Sequence, residues 1–236
     1  MISRVRTTSE DRQLLGRCAQ PPAAAAPQDW RGKLVTKPWG HEFVCFSGAA
    51  AAGWVLCIEP GWGTSFHCHT GKQTALLLLS GAATCRTSAG VHRLTPTGAL
   101  LVEPGAFHSV QATGAAPAWL LEVEAPNAKE DLVRFSDPAG RQGQGYAPQA
   151  AIEASTERTF LLGPGDAAPA DAPVALRAVA LEDRAALRVP ASTRAVVVAG
   201  ALLDHQGGHH GPGSAVAEGR FHAGGPTTVL LAGLPP

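Results

Sequence analysis

The 236-residue chain reads as an all-β protein made of two β-barrels, the second shortened and degenerate. Three observations predict this. From Trp30 onward, short apolar runs follow one another between Gly, Pro, Ser and Thr with almost no helical periodicity, the pattern of strands in a sandwich or barrel. A stretch rich in Gly, Pro, Ala and Gln then intervenes, and the runs beyond it repeat the earlier ones in outline.

Taken in order, residues 1–29 end in "PPAAAAP" and read as a tail with a short helix near 10–18. The first barrel is assigned to 30–148, on apolar runs at 42–46, 54–58, 75–79, 99–102 and 119–123. Residues 149–172 form the linker, inside a turn-rich region that carries one apolar piece at 159–162. The second barrel is assigned to 173–236, on runs at 174–180, 185–189, 195–199 and 228–231.

The repeat is specific enough to align. "TALLLLSG" ends at Gly81 as "TRAVVVAG" ends at Gly200, and "GALLVEPGAFHSV" is echoed by "GSAVAEGRFHAG", which matches His222 to His108. Pro60 stands fourteen residues before Thr74, but Pro190 only three before Thr193. The second copy therefore lacks the segment that holds His67 and His69 in the first.

Charge and composition narrow the ligand class. Nineteen basic and nineteen acidic side chains cancel, without a run of either sign, so neither nucleic acid nor an anionic membrane is expected as a partner and a small molecule is. No apolar stretch approaches the roughly 20 residues of a membrane helix, and the first residues lack the apolar core of a secretory signal. Five cysteines, odd in number and without CxxC spacing, point to reduced thiols and a cytoplasmic setting.

The chemistry is expected in "GWGTSFHCHTGKQT". Strand positions two apart face the same side, so His67 and His69 point together while Cys68 faces away. With His108 from a neighbouring strand, they offer three neutral nitrogen ligands to a metal and leave positions open for water, substrate or dioxygen. The other reading of the pair is two partly exposed strand histidines.

These residues resemble the motifs of the cupin superfamily. Gly61, His67, His69 and Gly81 match its first motif, with Thr74 standing where the family's Glu ligand belongs; Gly98, Pro104, Gly105 and His108 match the second, one residue shorter between Pro and Gly. "KPWGHE" and "LLEVEAPNAKEDLVRFSDPAGRQGQGY" look like the flanks of bacterial sugar-phosphate-isomerase-like cupins. The resemblance covers 34–146 and implies two jelly-roll barrels, one divalent transition metal (Fe, Zn, Mn, Ni or Co) and a homodimer. It implies no single reaction, because cupins include isomerases, epimerases, oxygenases, lyases and sugar-binding modules.

Without the Glu, a three-His site adds no negative charge, so a bound metal keeps its full charge as a Lewis acid. Gln73 is a candidate fourth, neutral ligand; of Gln73 and Thr74, one faces in and the other out. Glu122 and Glu124 share one strand face and are candidate acid–base groups if that face is interior, where burial raises a carboxyl pKa. Lys72 is a candidate anchor for a phosphate or carboxylate, and Lys37 and Trp39 either touch a ligand at the barrel mouth or pack the first strand. Asp131 and Arg134 read as an ion pair or surface contacts, and "DHQGGHHG" as a flexible turn. The expected function is a metal-dependent enzyme moving a proton on a small hydroxylated or carbonyl metabolite; a three-His iron oxygenase and a non-catalytic sugar-binding module are the alternatives.

Overall fold

The structure is a computed structural model that describes residues 1–18, 29–96, 98–146, 152–154 (backbone only) and 158–233. Its elements are β1 (Ile2–Val5), α1 (Ser9–Arg17), β2 (Lys33–Lys37), β3 (Gly40–Ser47), β4 (Ala52–Ile58), β5 (Phe66–Cys68), β6 (Gln73–Ser80), β7 (Ala83–Thr87), β8 (Gly90–Leu94), β9 (Ala99–Val102), β10 (His108–Ala112), β11 (Ala118–Ala125), β12 (Val133–Ser136) and β13 (Ile152–Ala154). There follow β14 (Leu176–Leu181), β15 (Ala186–Val189), β16 (Thr193–Ala199), β17 (Leu202–Leu203), β18 (His209–His210), β19 (Ala215–Val216), β20 (Gly219–Ala223) and β21 (Thr227–Gly233).

Two sheets form each barrel. An eight-stranded sheet, β1-β9-β6-β11-β4-β3-β2-β13, faces a five-stranded one, β12-β5-β10-β7-β8; the second barrel sets β14-β21-β16-β19 against β15-β20-β17-β18. Period-2 alternation decides which side each residue takes. Along β6, Leu76 and Leu78 enter the first barrel with Trp54, Leu56 and Leu120, whereas Ala75, Leu77 and Leu79 face outward. On β16, Ala195 and Val197 enter the second barrel and Val196 and Val198 face out. The outward sets meet in one apolar cluster with Val55, Leu121, Ala178 and Leu230, so the barrels pack back to back.

The repeat is visible in the turns as well. Gly81 and Gly200 both have positive φ, of 82° and 71°. A Cβ at either would lie 2.4 or 2.3 Å from the carbonyl of Pro117 or Pro226, so each position accepts only glycine.

The amino-terminal residues are not a free tail. Ile2–Val5 pairs in parallel with Ala99–Val102. The helix falls close to where it is expected: Thr8 caps α1 in a reciprocal capping box with Asp11, and Arg17 lies in its last turn. Its Leu14 and Leu15 cover Phe66, Cys68, Phe107 and Val133 on the outside of the five-stranded sheet. The "PPAAAAP" segment lies outside the described residues, as does part of the linker. Within the linker, Ile152–Ala154 adds an antiparallel strand beside β2, and Leu162 is buried with its N–H bonded to the Cys45 carbonyl at 2.7 Å. All five cysteines are free, and among the described residues no helix is long and apolar enough to cross a membrane.

Candidate metal centre

β5 carries Phe66 and Cys68 toward α1, which turns His67 inward. His69 follows just beyond the strand, and His108, the first residue of β10, pairs in register with His67. The three rings are buried, with centroids 4.5, 5.0 and 5.3 Å apart, and ligand nitrogens of all three lie within 4.8 Å of one another.

The hydrogen bonds select which nitrogen is offered. Nδ1 of His67, His69 and His108 faces the backbone carbonyls of Ser65 (2.7 Å), Asp131 (2.5 Å) and Ala106 (3.1 Å). A carbonyl only accepts, so each Nδ1 is the protonated donor and each Nε2 carries a free lone pair. Nε2 of His69 is buried with no hydrogen-bond partner. Burial, reinforced by neighbouring positive charge, holds His67 and His69 well below the usual histidine range; burial also lowers His108 to about 4. Three neutral, preoriented imidazoles, that of His69 with an orphaned acceptor, fit a transition metal.

The facing wall comes from β11. Glu122 Oε1 lies 3.9 Å from His69 Nε2, and burial, only partly opposed by Lys129, raises its carboxyl to about 7. Glu124 also points inward but pairs with Lys72 at 2.8 Å. Lys72 is fully buried and also donates to the Ala128 carbonyl at 2.9 Å, so it orders the interior and is not an open anchor on a loop. The register pairs Glu124 with Thr74, which places Thr74 inside, completely buried, its hydroxyl without a hydrogen-bond partner. Gln73 is on the opposite face: its amide donates to the Gly213 carbonyl of the second barrel at 3.0 Å, away from the histidines. It is therefore no fourth ligand.

A cluster of charged groups closes the mouth, most of it missed in the sequence. Glu42 accepts from Tyr146 Oη at 2.6 Å and pairs with Lys37 at 3.2 Å and Lys129 at 3.4 Å. Burial alone would push Glu42 upward, but Lys129, Lys37 and the Tyr146 hydroxyl hold it down at about 2. The Lys129 ammonium also sits 3.7 Å over the Trp54 ring. Arg134 is the cross-strand neighbour of His67; it lies 3.7 Å from Asp137, not against Asp131, and donates to the Gln144 and Gly145 carbonyls. Asp131 instead binds the Thr70 and Gly71 amides at 2.8 Å each, fixing the loop after His69. The cavity left between histidines and charged groups holds about 50 Å³.

Among its described residues the second barrel has no such centre. His222 is exposed and pairs across strands with Ala186 and Leu203. In "DHQGGHHG", Asp204 accepts from the Gln206 and Gly208 amides and lies 3.1 Å from His210, a side-chain-stapled turn. Among the described residues, the cluster of His67, His69 and His108 is the one group of this kind with converging ligand atoms.

The site is thus an inward HxH pair with a third histidine in register beside it, inside a double-sheet β-barrel. These features lie on the residues in which the sequence resembles the cupin superfamily. No protein-family model matches the chain, and no curated protein does. Among solved structures it is similar to TT1209 from Thermus thermophilus (28% identity over 37% of this chain and 83% of that one, TM-score 0.36). It is also similar to the bacterial pirin YhhW in complex with nickel(II) from Escherichia coli (16% identity, 86% and 95%, TM-score 0.38). A third is a sugar phosphate isomerase from a cupin superfamily from Silicibacter pomeroyi (17% identity, 47% and 73%, TM-score 0.34).

Proposed function

We propose that the first barrel is a metal-dependent enzyme that moves a proton on a small hydroxylated or carbonyl-bearing metabolite, as an isomerase or epimerase does. His67, His69 and His108 hold the ion through Nε2. A divalent transition ion held by three neutral ligands supplies undiminished positive charge and open positions for two ligand oxygens.

The observation that carries the reading is the position of Glu122, a buried carboxyl 3.9 Å from the Nε2 of His69 and on the cavity wall. Glu122 takes a proton from a carbon beside the ligand's carbonyl and returns it to the adjoining carbon or to the other face. Nothing is oxidised or reduced. The Lys72–Glu124 pair orders the wall beside Glu122, and the cluster around Glu42 and Tyr146 limits the entry of water. The second barrel, 173–236, supports the first, and the reading includes a homodimer in a reducing cytoplasm.

Incubating the metal-loaded protein in D2O with hydroxy-carbonyl compounds, under strict exclusion of oxygen, tests this. Deuterium should enter the carbon skeleton and fall at least a hundredfold for Glu122→Gln. Turnover that appears only with oxygen would instead favour a three-His oxygenase, and binding without turnover under any condition a sugar-binding module; either result rejects the isomerase reading.

A further inference from the structure

The strand that bears His108 is gripped from outside the barrel by a buried carboxylate that plays no part in the chemistry above. Asp11, on the first turn of α1, is fully buried. Its Oδ2 accepts from the Thr8 amide and hydroxyl, at 2.8 Å each, which is the capping box. Its Oδ1 reaches across to accept from the Phe107 amide at 3.0 Å, 96 positions further along the chain.

The peptide unit that donates to Asp11 also orients the candidate ligand. Phe107 N–H and Ala106 C=O are the two ends of one planar amide, and the Ala106 carbonyl is what His108 Nδ1 donates to at 3.1 Å. The order is therefore Asp11 carboxylate, Phe107 N–H, Ala106 C=O, His108 Nδ1–H, on a ring that converges with those of His67 and His69. Hydrogen bonds at the two ends of an amide polarise each other. Metal-binding histidines commonly donate their distal N–H to a carboxylate directly, which fixes the ring and raises its basicity; here a peptide is inserted between the two.

The neighbourhood is built around this connection. Thr7 Oγ1 donates to the Pro104 carbonyl at 2.6 Å, and Glu103 N–H to the Val5 carbonyl at 3.0 Å. The Gly105 amide in the same turn donates to the His69 carbonyl at 2.6 Å. The first eleven residues thus hold the 103–107 turn from both sides, and that turn touches two of the three histidines.

We infer that Asp11 is a positioning residue of the metal centre, acting on His108 through the 106–107 peptide. The inference rests on the reading of the triad as a metal site. An asparagine at 11 is nearly isosteric but has one acceptor oxygen, so it serves either the Thr8 donors or the Phe107 amide and sets an N–H against the other.

The test compares Ni(II) affinity by equilibrium titration, and the visible spectrum of the Co(II)-loaded protein, for wild type, Asp11→Asn, Thr8→Ala and Val229→Ala. Val229 lies in the core of the second barrel, and Thr8→Ala weakens the cap but leaves Asp11 on Phe107. Asp11→Asn should bind Ni(II) about tenfold more weakly, in the range seen for outer-shell partners of metal ligands, with a shifted Co(II) spectrum. Thr8→Ala and Val229→Ala should lose thermal stability without either change. Should Asp11→Asn not fold, Asp11→Glu, which keeps the charge and displaces the oxygens, carries the same expectation. Wild-type affinity and spectrum in the Asp11 variant would overturn the positioning role alone, whereas a wild type that binds no Ni(II) or Co(II) would overturn the metal reading and the role with it.

Discussion

The two barrels share a strand plan and differ in what their interiors contain. The first encloses three histidines, Glu122, Glu124, Lys72 and Thr74 among its apolar side chains, while the core of the second is Leu187, Val189, Ala195, Val197, Leu202, Val216, Phe221 and Val229. The spacing of the shared Phe-His motif from the preceding strand does not account for this. His108 and His222 each stand six residues after an inward valine, Val102 and Val216, yet the Phe-His pair is presented with opposite sides inward, His108 in the first barrel and Phe221 in the second. In the first barrel α1 covers the outward Phe107; among the described residues the second barrel has no helix to do so, and its phenylalanine is buried inside instead. The missing HxH segment and the reversed Phe-His pair leave an apolar core where the first barrel holds a charged site.

The largest effect should come from separating the barrels. Ending the chain after Tyr146 keeps every proposed ligand but exposes Val55, Leu77, Leu79, Leu121 and Val123, now covered by the second barrel. The fragment should aggregate on sizing chromatography; a soluble, folded, metal-loaded fragment would show the second barrel to be a separate module.

Next is the charged interior, which has no counterpart in the second barrel. Glu42→Gln leaves Lys37 and Lys129 without their shared carboxylate and should cost about 3–5 kcal/mol in urea unfolding at pH 7. Because Glu42 is held at about 2, below its usual value, its contribution is complete above pH 4.5 and is lost as pH falls through that interval. Wild type should therefore approach the variant's stability toward pH 2. Parallel curves across that range would mean that Glu42 carries no such charge.

A smaller change should follow Thr74→Glu, which puts a carboxylate on the interior face of β6. Metal retention against a chelator should increase about tenfold while proton-transfer activity falls, since the added charge weakens the Lewis acid. Unchanged retention would show that residue 74 does not reach the metal.

The triad is legible because alternation along one strand is a local rule: His67 and His69 must share a side, and the Gly-Pro-Gly spacing around His108 marks the neighbouring strand. The same rule left Gln73 and Thr74 unresolved, since it fixes their opposition but not which of them is inside. Glu42, Lys129 and Tyr146 were illegible for a different reason. They meet across separations of 87 and 104 residues, and only the register of β3, β4 and β11 brings their segments together. The strand at Ile2–Val5 escaped notice because four residues with a polar centre carry no periodicity, and its partner is 97 residues away. The sequence matches His222 to His108, but a repeat aligns letters without fixing which side of the sheet each residue takes.

Metal stoichiometry tests the asymmetry of the barrels most directly. Full-length protein without a histidine tag, dialysed to equilibrium against Ni(II) or Zn(II), should hold one ion per chain. His222→Ala should hold the same, and His67→Ala or His108→Ala should hold almost none. Two ions per wild-type chain, or equal loss from the His222 and His108 variants, would contradict the account.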